Sequence, residues 1–239
     1  MPVPLSVVIP VYRDAAALAR TLADTDFSGA ELIVASVSDD DTLAALRLAY
    51  PRIAWIGAPR GRAAQMNAGA AAAHGEWLVF LHADTRLPPG WQDAIELASR
   101  DPRVNAGCFR FALDSTSAKA RIIEIGVRAR VALLGLPYGD QALFVRRDAF
   151  VALGGYADLP IMEDVDLVRR LRRTGRLHRS ALTATTSARR WERDGWVRRT
   201  ARHLTLILLY FCGVEPVRLM GLDPARRSHP EPPGGRMSL

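Results

Sequence analysis

The stretch FLHADTRLPPGW, residues 80–91, carries the clearest structural signal in this chain. An apolar run from Trp77 to Leu81 has the length of a buried strand, and it leads directly into His82 and Asp84. A Pro-Pro-Gly sequence then ends the run. A strand with a histidine and an aspartate at its tip predicts either a polar turn or a ligand site, and the surrounding sequence has to discriminate between the two.

Strands and helices alternate along the first part of the chain. Apolar, β-branched runs predict strands, and apolar residues at helical spacing predict helices between them. The predicted strands are Leu5–Val11, Glu31–Val37, Ile53–Ile56 and Trp77–Leu81, and the predicted helices include Asp14–Asp24 and Arg62–His74. This alternation is typical of βαβ units in a mainly parallel sheet. Because such sheets bind ligands at the carboxyl ends of their strands, Asp84 lies where a ligand site is expected.

The second half of the chain predicts a less regular set of elements. Its periodicity predicts the strands Val104–Leu113 and Ala142–Val145, the helices Ala118–Leu134 and Glu163–Thr174, and a helix that begins near Asp148. We therefore predict an α/β fold in which residues 1–222 form one domain. Residues 223–239 contain four prolines and several charges, which predicts a disordered tail.

The composition excludes several classes of protein. Of the 239 residues 49% are apolar, so the chain is not intrinsically disordered. Cys108 and Cys212 form neither a disulfide framework nor a zinc motif, and no charged and apolar leader precedes the first strand. We therefore expect a cytoplasmic protein.

The positive charge is concentrated in the second half of the chain. Residues 1–119 contain 11 Lys and Arg against 13 Asp and Glu, whereas residues 120–239 contain 21 against 12. Such a basic half suits nucleic acid, an anionic membrane or a phosphorylated substrate, and the charge alone does not discriminate among them.

Asp84 becomes a stronger candidate for ligand binding because two common phosphate-binding motifs are missing from the sequence. Neither G-x-G-x-x-G nor G-x-x-x-x-G-K-[ST] occurs, which removes the main support for a dinucleotide oxidoreductase or a P-loop enzyme. Asp84 instead offers the hard oxygen that Mg²⁺ and Mn²⁺ prefer, usually alongside substrate phosphates. His82 would share a face with it in a continuing strand, where it either joins the metal site or hydrogen-bonds to the neighbouring loop.

Two further stretches contribute acids and arginines. PIMEDVDLVRRLRR, residues 160–173, places Glu163, Asp164 and Asp166 at a helix start, where carboxylates cap free amides or serve as a catalytic base. TSARRWERDGW, residues 186–196, surrounds an aromatic side chain with arginines. That pattern is typical of a solvated basic face or of a clamp on a diphosphate.

Together these stretches resemble the family 2 glycosyltransferases, which have a GT-A fold. The matching stretches, in the family's order, are SVVIPVYRD, GRAAQMNAGAAAAHGEWLVFLHADTRLPPGW, LPYGDQALFVRRDAFVALGGYADLPIMEDVDLVRRLRR and SARRWERDGW. The chain is similar in particular to a small bacterial subgroup with His-Ala-Asp in place of the D-x-D element. The resemblance implies a Rossmann-like, mainly parallel sheet flanked by helices. It also implies transfer of a sugar from a nucleotide-diphosphate donor, usually with inversion and with a divalent metal, Mn²⁺ or Mg²⁺.

The resemblance further implies roles for individual residues. Asp84 matches the metal ligand of the D-x-D element, with His82 as a second candidate ligand, and Asp164 matches the general base. The positions implied for binding the nucleotide-sugar are Pro10, Tyr12, Asp14, Arg62, Gln65, Asn67, Asp84 and Arg190. The positions implied for binding the sugar or the acceptor are Gly139, Asp140, Gln141, Glu163 and Trp191.

Three features depart from the family's pattern. His82 replaces the first acid of D-x-D, and Ser187 replaces the glutamine of Q-x-x-R-W. The second strand normally ends in an aspartate that reads the nucleotide base, but this chain has Ala35 and Ser36 there, with Asp39 further on. The sequence therefore leaves the base of the donor, and the donor itself, open.

Two functions other than sugar transfer stay open. A nucleotidyltransferase would carry a Gly-rich phosphate loop with a lysine near the first strand, which IPVYRDAA lacks. A degenerate, non-catalytic module that binds a nucleotide or a partner would explain the altered second-strand turn. The retained Asp84 and Asp164 favour an enzyme, and we expect no nucleic-acid partner.

The apolar run Leu204–Val214 directly follows the arginines at 198, 199 and 202. Eleven apolar residues are too few to span a bilayer, so the run predicts a C-terminal amphipathic helix. Such a helix lies in a membrane interface, closes the sheet or mediates a dimer contact, and these alternatives stay open. The membrane alternative implies peripheral contact with the inner face of the cell membrane and suits a lipid-linked acceptor.

Overall fold

The computed structural model describes residues 3–37 and 40–222, which form an eight-stranded mixed sheet with helices on both faces. The predicted α/β class, with a mainly parallel sheet flanked by helices, is confirmed. Asp39 and the predicted disordered tail, residues 223–239, lie outside the described residues.

Strands and helices alternate up to the fourth strand, as the sequence predicts. In chain order the strands are β1 Leu5–Val11, β2 Ala30–Val37, β3 Ala54–Ala58, β4 Trp77–Phe80, β5 Thr85–Arg86, β6 Val104–Leu113, β7 Leu143–Arg146 and β8 Arg176–Thr186. The helices are α1 Ala15–Asp24, α2 Ala44–Ala49, α3 Arg62–Ala71, α4 Trp91–Ser99, α5 Ala118–Leu134, α6 Arg147–Ala152, α7 Glu163–Thr174, α8 Arg189–Asp194, α9 Trp196–Phe211 and α10 Pro216–Gly221. Two 3₁₀ turns, Asp41–Leu43 and Gly139–Gln141, precede α2 and β7.

The bounds of β1, β6, α5 and α7 are those predicted, whereas β5, β8, α4 and α8 were not predicted. β8 could not be predicted because its first four residues include Arg176, His178 and Arg179 and because it contains no apolar run. It forms a strand because it pairs in parallel along almost the whole of β6, whose residues are mostly buried. Pairing with a neighbour, rather than intrinsic propensity, therefore decides its conformation.

The strand order brings the predicted site segments to one edge of the sheet. The order is β3-β2-β1-β4-β7-β6-β8-β5, and the first four of these strands pair in parallel. β7 is antiparallel to both β4 and β6, so its first residue, Leu143, pairs with Phe80 at the end of β4. β8 runs parallel to β6. The segments after β1, β4 and β8 and the segment before β7 therefore meet at the same edge.

Two hydrophobic cores, one on each face of the sheet, anchor this edge. Alternation along β1 directs Val7 and Ile9 into one core and Val8 into the other. The first core is closed by α1 and α4, and the second by α3, α6 and α7. β4 contributes fully buried side chains to both cores, which explains why its sequence is a continuous apolar run. Packing on both faces therefore fixes the end of β4, from which the chain continues to His82 and Asp84.

Candidate active site

Asp84 is fixed where β4 leads into β5. Its carbonyl oxygen accepts a hydrogen bond from Ser187 N at 3.0 Å, and the next residue, Thr85, pairs with Thr186 of β8. The hydroxyl oxygens of Thr85 and Thr186 lie 2.8 Å apart in a buried position. The Asp84 side chain is 6% exposed, and a carboxylate so far removed from water requires cations close by.

Two arginines at the start of α8 supply this positive charge. Arg189 forms a bidentate ion pair with Asp14, and its Nη2 atom also lies 3.5 Å from Asp84 Oδ2. Arg190 Nη2 lies 3.5 Å from the same oxygen. Three distant segments thus form one charge-balanced cluster. The side chains of Arg189 and Arg190 are 34% and 45% exposed, so an approaching ligand meets guanidinium groups before it meets Asp84.

A second ion cluster lies at the starts of α3 and α7. Arg62 forms a close ion pair with Glu163, whose side chain is 1% exposed. Burial disfavours the charged guanidinium, but the carboxylates of Glu163 and Asp164 outweigh it and raise the pKa of Arg62. Glu163 Oε2 is buried and has no hydrogen-bond partner within the described part of the chain. Glu163 therefore holds Arg62 in place and keeps it charged.

His82 lies between the two ion clusters. Its Nε2 atom is 3.4 Å from Arg62 Nη1. Removal from water, and then the positive charges of Arg62 and Arg190, lower the pKa of His82 to about 3, so the imidazole is neutral near neutral pH. Gly139 packs tightly against the ring, because a Cβ added to Gly139 would lie 2.7 Å from His82 Nε2.

Asp164 begins α7 and faces the turn that precedes β7. Its Oδ2 accepts a hydrogen bond from Gly139 N at 2.7 Å, and its Oδ1 accepts one from Val165 N at 2.8 Å. Burial alone would raise the pKa of Asp164, but the charge of Arg62 and the hydrogen bond from Gly139 N lower it below its ordinary value. The side chain is therefore a carboxylate at neutral pH, as a proton acceptor must be.

Asp140 lies in the 3₁₀ turn between Asp84 and Asp164. Removal from water raises the pKa of Asp140 to about 6; Arg130 opposes this shift, while the charges of Asp164 and Asp84 add to it. Its Oδ1 is buried and has no hydrogen-bond partner among the described residues. A buried carboxylate oxygen that the protein leaves unsatisfied suits a site that a ligand completes.

Backbone strain also marks this edge of the sheet. Within residues 3–37 and 40–222, three residues other than glycine have a positive φ angle. They are Arg13 (φ 50°) after β1, Ala142 (φ 46°) before β7 and Met162 (φ 67°) before α7. Each such conformation costs roughly 1–3 kcal/mol, and such residues cluster at functional sites. Asp40 compensates at the first of them, because its carboxylate accepts a hydrogen bond from Arg13 N at 2.6 Å.

Two of the predicted amide ligands bind the protein's own backbone. Gln65 Nε2 donates hydrogen bonds to the carbonyl oxygens of Val11 at 2.6 Å and Ala35 at 2.9 Å, which ties the ends of β1 and β2 together. Asn67 donates to Tyr156 O at 2.8 Å and accepts from Tyr156 N at 2.9 Å. Both side chains shape the walls of the site, and a contact with the nucleotide stays a prediction for each.

Gln141 and Pro10 also belong to the scaffold. Gln141 is 2% exposed; its Nε2 donates to Phe109 O at 3.0 Å, and its Oε1 accepts from Tyr138 N at 3.3 Å. Pro10 is a buried residue of β1 and pairs with Ala35 of β2. Their predicted contacts with the sugar, the acceptor or the nucleotide are therefore not tested by these positions.

The two predicted aromatic positions stack with arginines. The guanidinium carbon of Arg60 lies 4.8 Å from the centroid of the Tyr12 ring. That of Arg199 lies 4.9 Å from the Trp191 ring, which also packs against Phe111 with 6.3 Å between ring centroids. Tyr12 thus stacks with an arginine that precedes α3, and Trp191 of α8 stacks with an arginine of α9.

The structure therefore gathers most predicted side chains at one edge of the sheet, in or beside the two ion clusters. The side chains in direct contact there are Asp14, Arg62, His82, Asp84, Glu163, Asp164 and Arg190, joined by Arg189 and the backbone of Gly139. Residues 6–152, more than half of the chain, match the family described as Glycosyl transferase family 2. The chain belongs to glycosyl transferase family 2. No curated protein matches its sequence.

Solved structures agree with membership of family 2 at the level of the fold. The mannosyltransferase PcManGT from Pyrobaculum calidifontis, solved with GDP-Man and Mn²⁺, aligns with a TM-score of 0.64 at 20% identity, over 85% of this chain and 62% of that chain. TarS 1–349 from S. aureus aligns with a TM-score of 0.60 at 13% identity, over 77% and 60%. The same protein with UDP-GlcNAc gives a TM-score of 0.58. The predicted GT-A fold is confirmed, and the chain spans about three fifths of the length of these proteins.

The family match ends before three of the residues that contact Asp84 and Gly139. Asp164, Arg189 and Arg190 lie beyond residue 152, and their position at this site rests on the contacts described above. Arg189 was missed by the sequence analysis, which took Arg190 from the family's motif. The pair of adjacent arginines, Arg189 and Arg190, was the signal in the sequence that could have indicated it. The ion pair of Arg189 with Asp14 arises from tertiary structure alone.

A divalent metal ion fits the oxygen donors of this family 2 site. In the part of the chain that the structure describes, no three His, Cys, Asp or Glu side chains converge on one point. Asp84 nevertheless offers a buried carboxylate, and Asp140 offers a buried oxygen that has no hydrogen-bond partner among the described residues. Mg²⁺ and Mn²⁺ commonly bind one or two carboxylates and complete their shell with water and substrate phosphates. Asp84 and Asp140 would hold such an ion, and the ligand role of His82 stays a prediction.

Proposed function

We propose that this family 2 glycosyltransferase moves a sugar from a nucleoside-diphosphate donor to an acceptor hydroxyl with inversion, using Mn²⁺ or Mg²⁺. The observation that carries the proposal is the division of the site into two parts. Asp84 with Arg189 and Arg190 offers cations to an anionic leaving group, and Asp164 offers a carboxylate on the other side of His82. An inverting displacement needs such a base opposite such a leaving-group site.

The charges of the site supply the chemistry of each half. Arg189 and Arg190 bind the diphosphate and stabilise the charge that develops on it as the sugar leaves. A bound divalent ion supplies further neutralisation of the diphosphate. Asp164 accepts the proton of the acceptor hydroxyl while Gly139 N holds the carboxylate in place. The negative charge of a bound diphosphate offsets the positive charge of Arg62. The pKa of Asp164 therefore rises toward the range of an effective base.

A donor screen tests the proposed function. The probes are UDP-sugars and GDP-mannose, the classes of donor bound by the structural neighbours. We expect one donor to release nucleoside diphosphate in the presence of Mn²⁺, and release to cease when the metal is chelated. Donor binding without any release would favour the degenerate, non-catalytic module. Release of inorganic pyrophosphate from a nucleoside triphosphate and a sugar phosphate would favour the nucleotidyltransferase. A cytoplasmic location stays a prediction.

Replacing Arg189 by glutamine should change metal binding and diphosphate binding in opposite directions. The guanidinium competes with a metal ion for Asp84, so its removal should tighten binding of Mn²⁺ alone. It also attracts the diphosphate, so its removal should weaken binding of a nucleoside diphosphate. We expect each dissociation constant to change by roughly three- to tenfold. Titration calorimetry with each ligand separately measures both constants.

The matched control for this prediction is Arg100→Gln, at an exposed i,i+4 ion pair with Glu96. This variant should leave both constants at the parent's values, since it removes one arginine charge away from the site. A variant of Arg189 that weakened both ligands together would indicate a general loss of structure. That outcome would contradict the proposed competition at Asp84.

A further inference from the structure

Exposed apolar side chains are concentrated in two parts of the molecule. Among the described residues, thirteen large apolar side chains are exposed, and ten of them lie on α5 or between residues 197 and 222. Scattered exposed leucines are normal on a soluble protein, but a concentration of this kind marks an interaction surface. The Trp196 side chain at the start of α9 packs on the core beneath α5, so the two parts are neighbours.

The exposed side chains of α9 form one stripe along the helix. Val197, Ala201, Leu204, Leu208 and Phe211 are all exposed and are spaced four and three residues apart, which places them on one side of the helix. Val197, Leu204, Leu208 and Phe211 are 80%, 53%, 65% and 45% exposed. We call these five residues the α9 stripe. No helix within residues 3–37 and 40–222 is both long and apolar enough to cross a membrane.

Arginines outnumber acids around the α9 stripe, and the two flanking acids, Asp194 and Glu215, already form ion pairs with arginines. The sequence contains no Asp or Glu from residue 196 to residue 214. Arg198 is exposed beside the stripe, Arg218 of α10 is 80% exposed, and Arg169 lies 5.6 Å from the ring centroid of Phe211. Arg199 and Arg202, which the sequence analysis grouped with Arg198, instead lie 2.7 Å and 3.7 Å from Asp194.

The opposite face of α9 packs on the segments that carry the catalytic groups. Leu206 is buried in a cluster with Tyr138, Met162 and Val165. Tyr138 directly precedes the Gly139–Gln141 turn, and Met162 directly precedes Glu163 and Asp164. The α9 stripe is therefore separated from the candidate base by the thickness of one helix.

We propose that the α9 stripe docks onto an anionic lipid surface, with the helix lying in the headgroup region and its arginines on the lipid phosphates. Apolar side chains bordered by arginines are the chemistry that an anionic interface binds. A second copy of the chain fits less well, because it would bring the same arginines against the stripe, and the flanking acids Asp194 and Glu215 are already paired with arginines of the same chain. If the proposed sugar transfer holds, an acceptor anchored in that bilayer reaches Asp164 from the membrane side.

Vesicle flotation of the full chain tests this surface. The vesicles are phosphatidylcholine alone, or phosphatidylcholine with about one third phosphatidylglycerol. We expect binding to the anionic vesicles that weakens as salt is raised. Leu208→Asp should weaken this binding at least about tenfold, because it places a negative charge in the middle of the stripe. Leu97→Asp, at a leucine of α4 that is 60% exposed, should bind like the parent.

Each alternative result of the flotation has a definite meaning. Parent protein that floats with neither vesicle type, or Leu208→Asp that floats like the parent, would overturn the lipid surface. A parent that sediments as a dimer while Leu208→Asp sediments as a monomer would assign the stripe to a second copy. Release of nucleoside diphosphate, measured without vesicles, should be equal in the parent and Leu208→Asp, which shows that the variant is folded. Failure of that release in the parent would count against the proposed function and leave the flotation result standing.

Discussion

Replacing Asp164 by asparagine lowers turnover by about a hundredfold or more, while the affinity for the donor stays within about threefold of the parent's. Asparagine has nearly the same shape but cannot accept the proton of the acceptor hydroxyl. The donor lies on the side of Arg189 and Arg190, whose contacts with Asp84 do not involve Asp164. Single-turnover rates and donor titrations of the same preparation separate the two effects.

Folding of the Asp164 variant needs its own measurement. Both carboxylate oxygens accept backbone hydrogen bonds, from Gly139 N and Val165 N, and asparagine can satisfy only one of them with its carbonyl oxygen. We therefore expect a lower thermal midpoint for this variant. Stabilisation by the donor should persist, since a folded nucleotide site still binds its ligand.

Asp166→Asn provides the matched control on the same helix. Asp166 forms an i,i+4 ion pair with Arg170 at 2.7 Å, on the part of α7 that serves the fold. Its removal should cost a little stability and leave turnover near the parent's value. A rate for Asp164→Asn equal to that of Asp166→Asn would remove Asp164 from the role of base. Glu163, the next carboxylate at this helix start, would then be tested.

The elements with strong internal patterns could be predicted from the sequence. β1 and β4 are continuous apolar runs, and α7 has apolar residues at helical spacing behind an acidic first turn, so local periodicity decides each of them. β8 and the two-residue β5 could not be predicted, because each exists through its pairing with another strand. These two strands set the position of Ser187 beside Asp84.

The site shows the same limit at the level of single residues. Sequence motifs indicated Asp84, Asp164 and the arginines, because a strand end, a helix start and a basic loop each leave a local pattern. Which charged side chains pair with each other depends on the tertiary structure. Asp14 was expected to face the nucleotide, and in the structure it binds Arg189, which lies 175 residues further along the chain.

The Asp84→Asn variant should fold, but Mn²⁺ should no longer improve its binding of the donor. Asp84 follows β4 without contributing its side chain to either hydrophobic core, and its carbonyl oxygen keeps the hydrogen bond from Ser187 N. The substitution removes one of the two carboxylates that would hold the ion. It also leaves Arg190 without this anionic partner, although Arg189 retains Asp14. We expect turnover to fall at least about a hundredfold.

The decisive measurement is the coupling between metal and nucleotide rather than the rate. The dissociation constant of the nucleoside diphosphate is measured with and without Mn²⁺ in the parent and in the variant, and the ratio of the two constants gives the coupling. We expect a ratio well above one for the parent and close to one for Asp84→Asn. Asp93→Asn, at an exposed position in the first turn of α4, should retain the parent's ratio. An unchanged ratio in the Asp84 variant would show that Asp84 does not bind the metal, because coupling through any other ligand survives its removal.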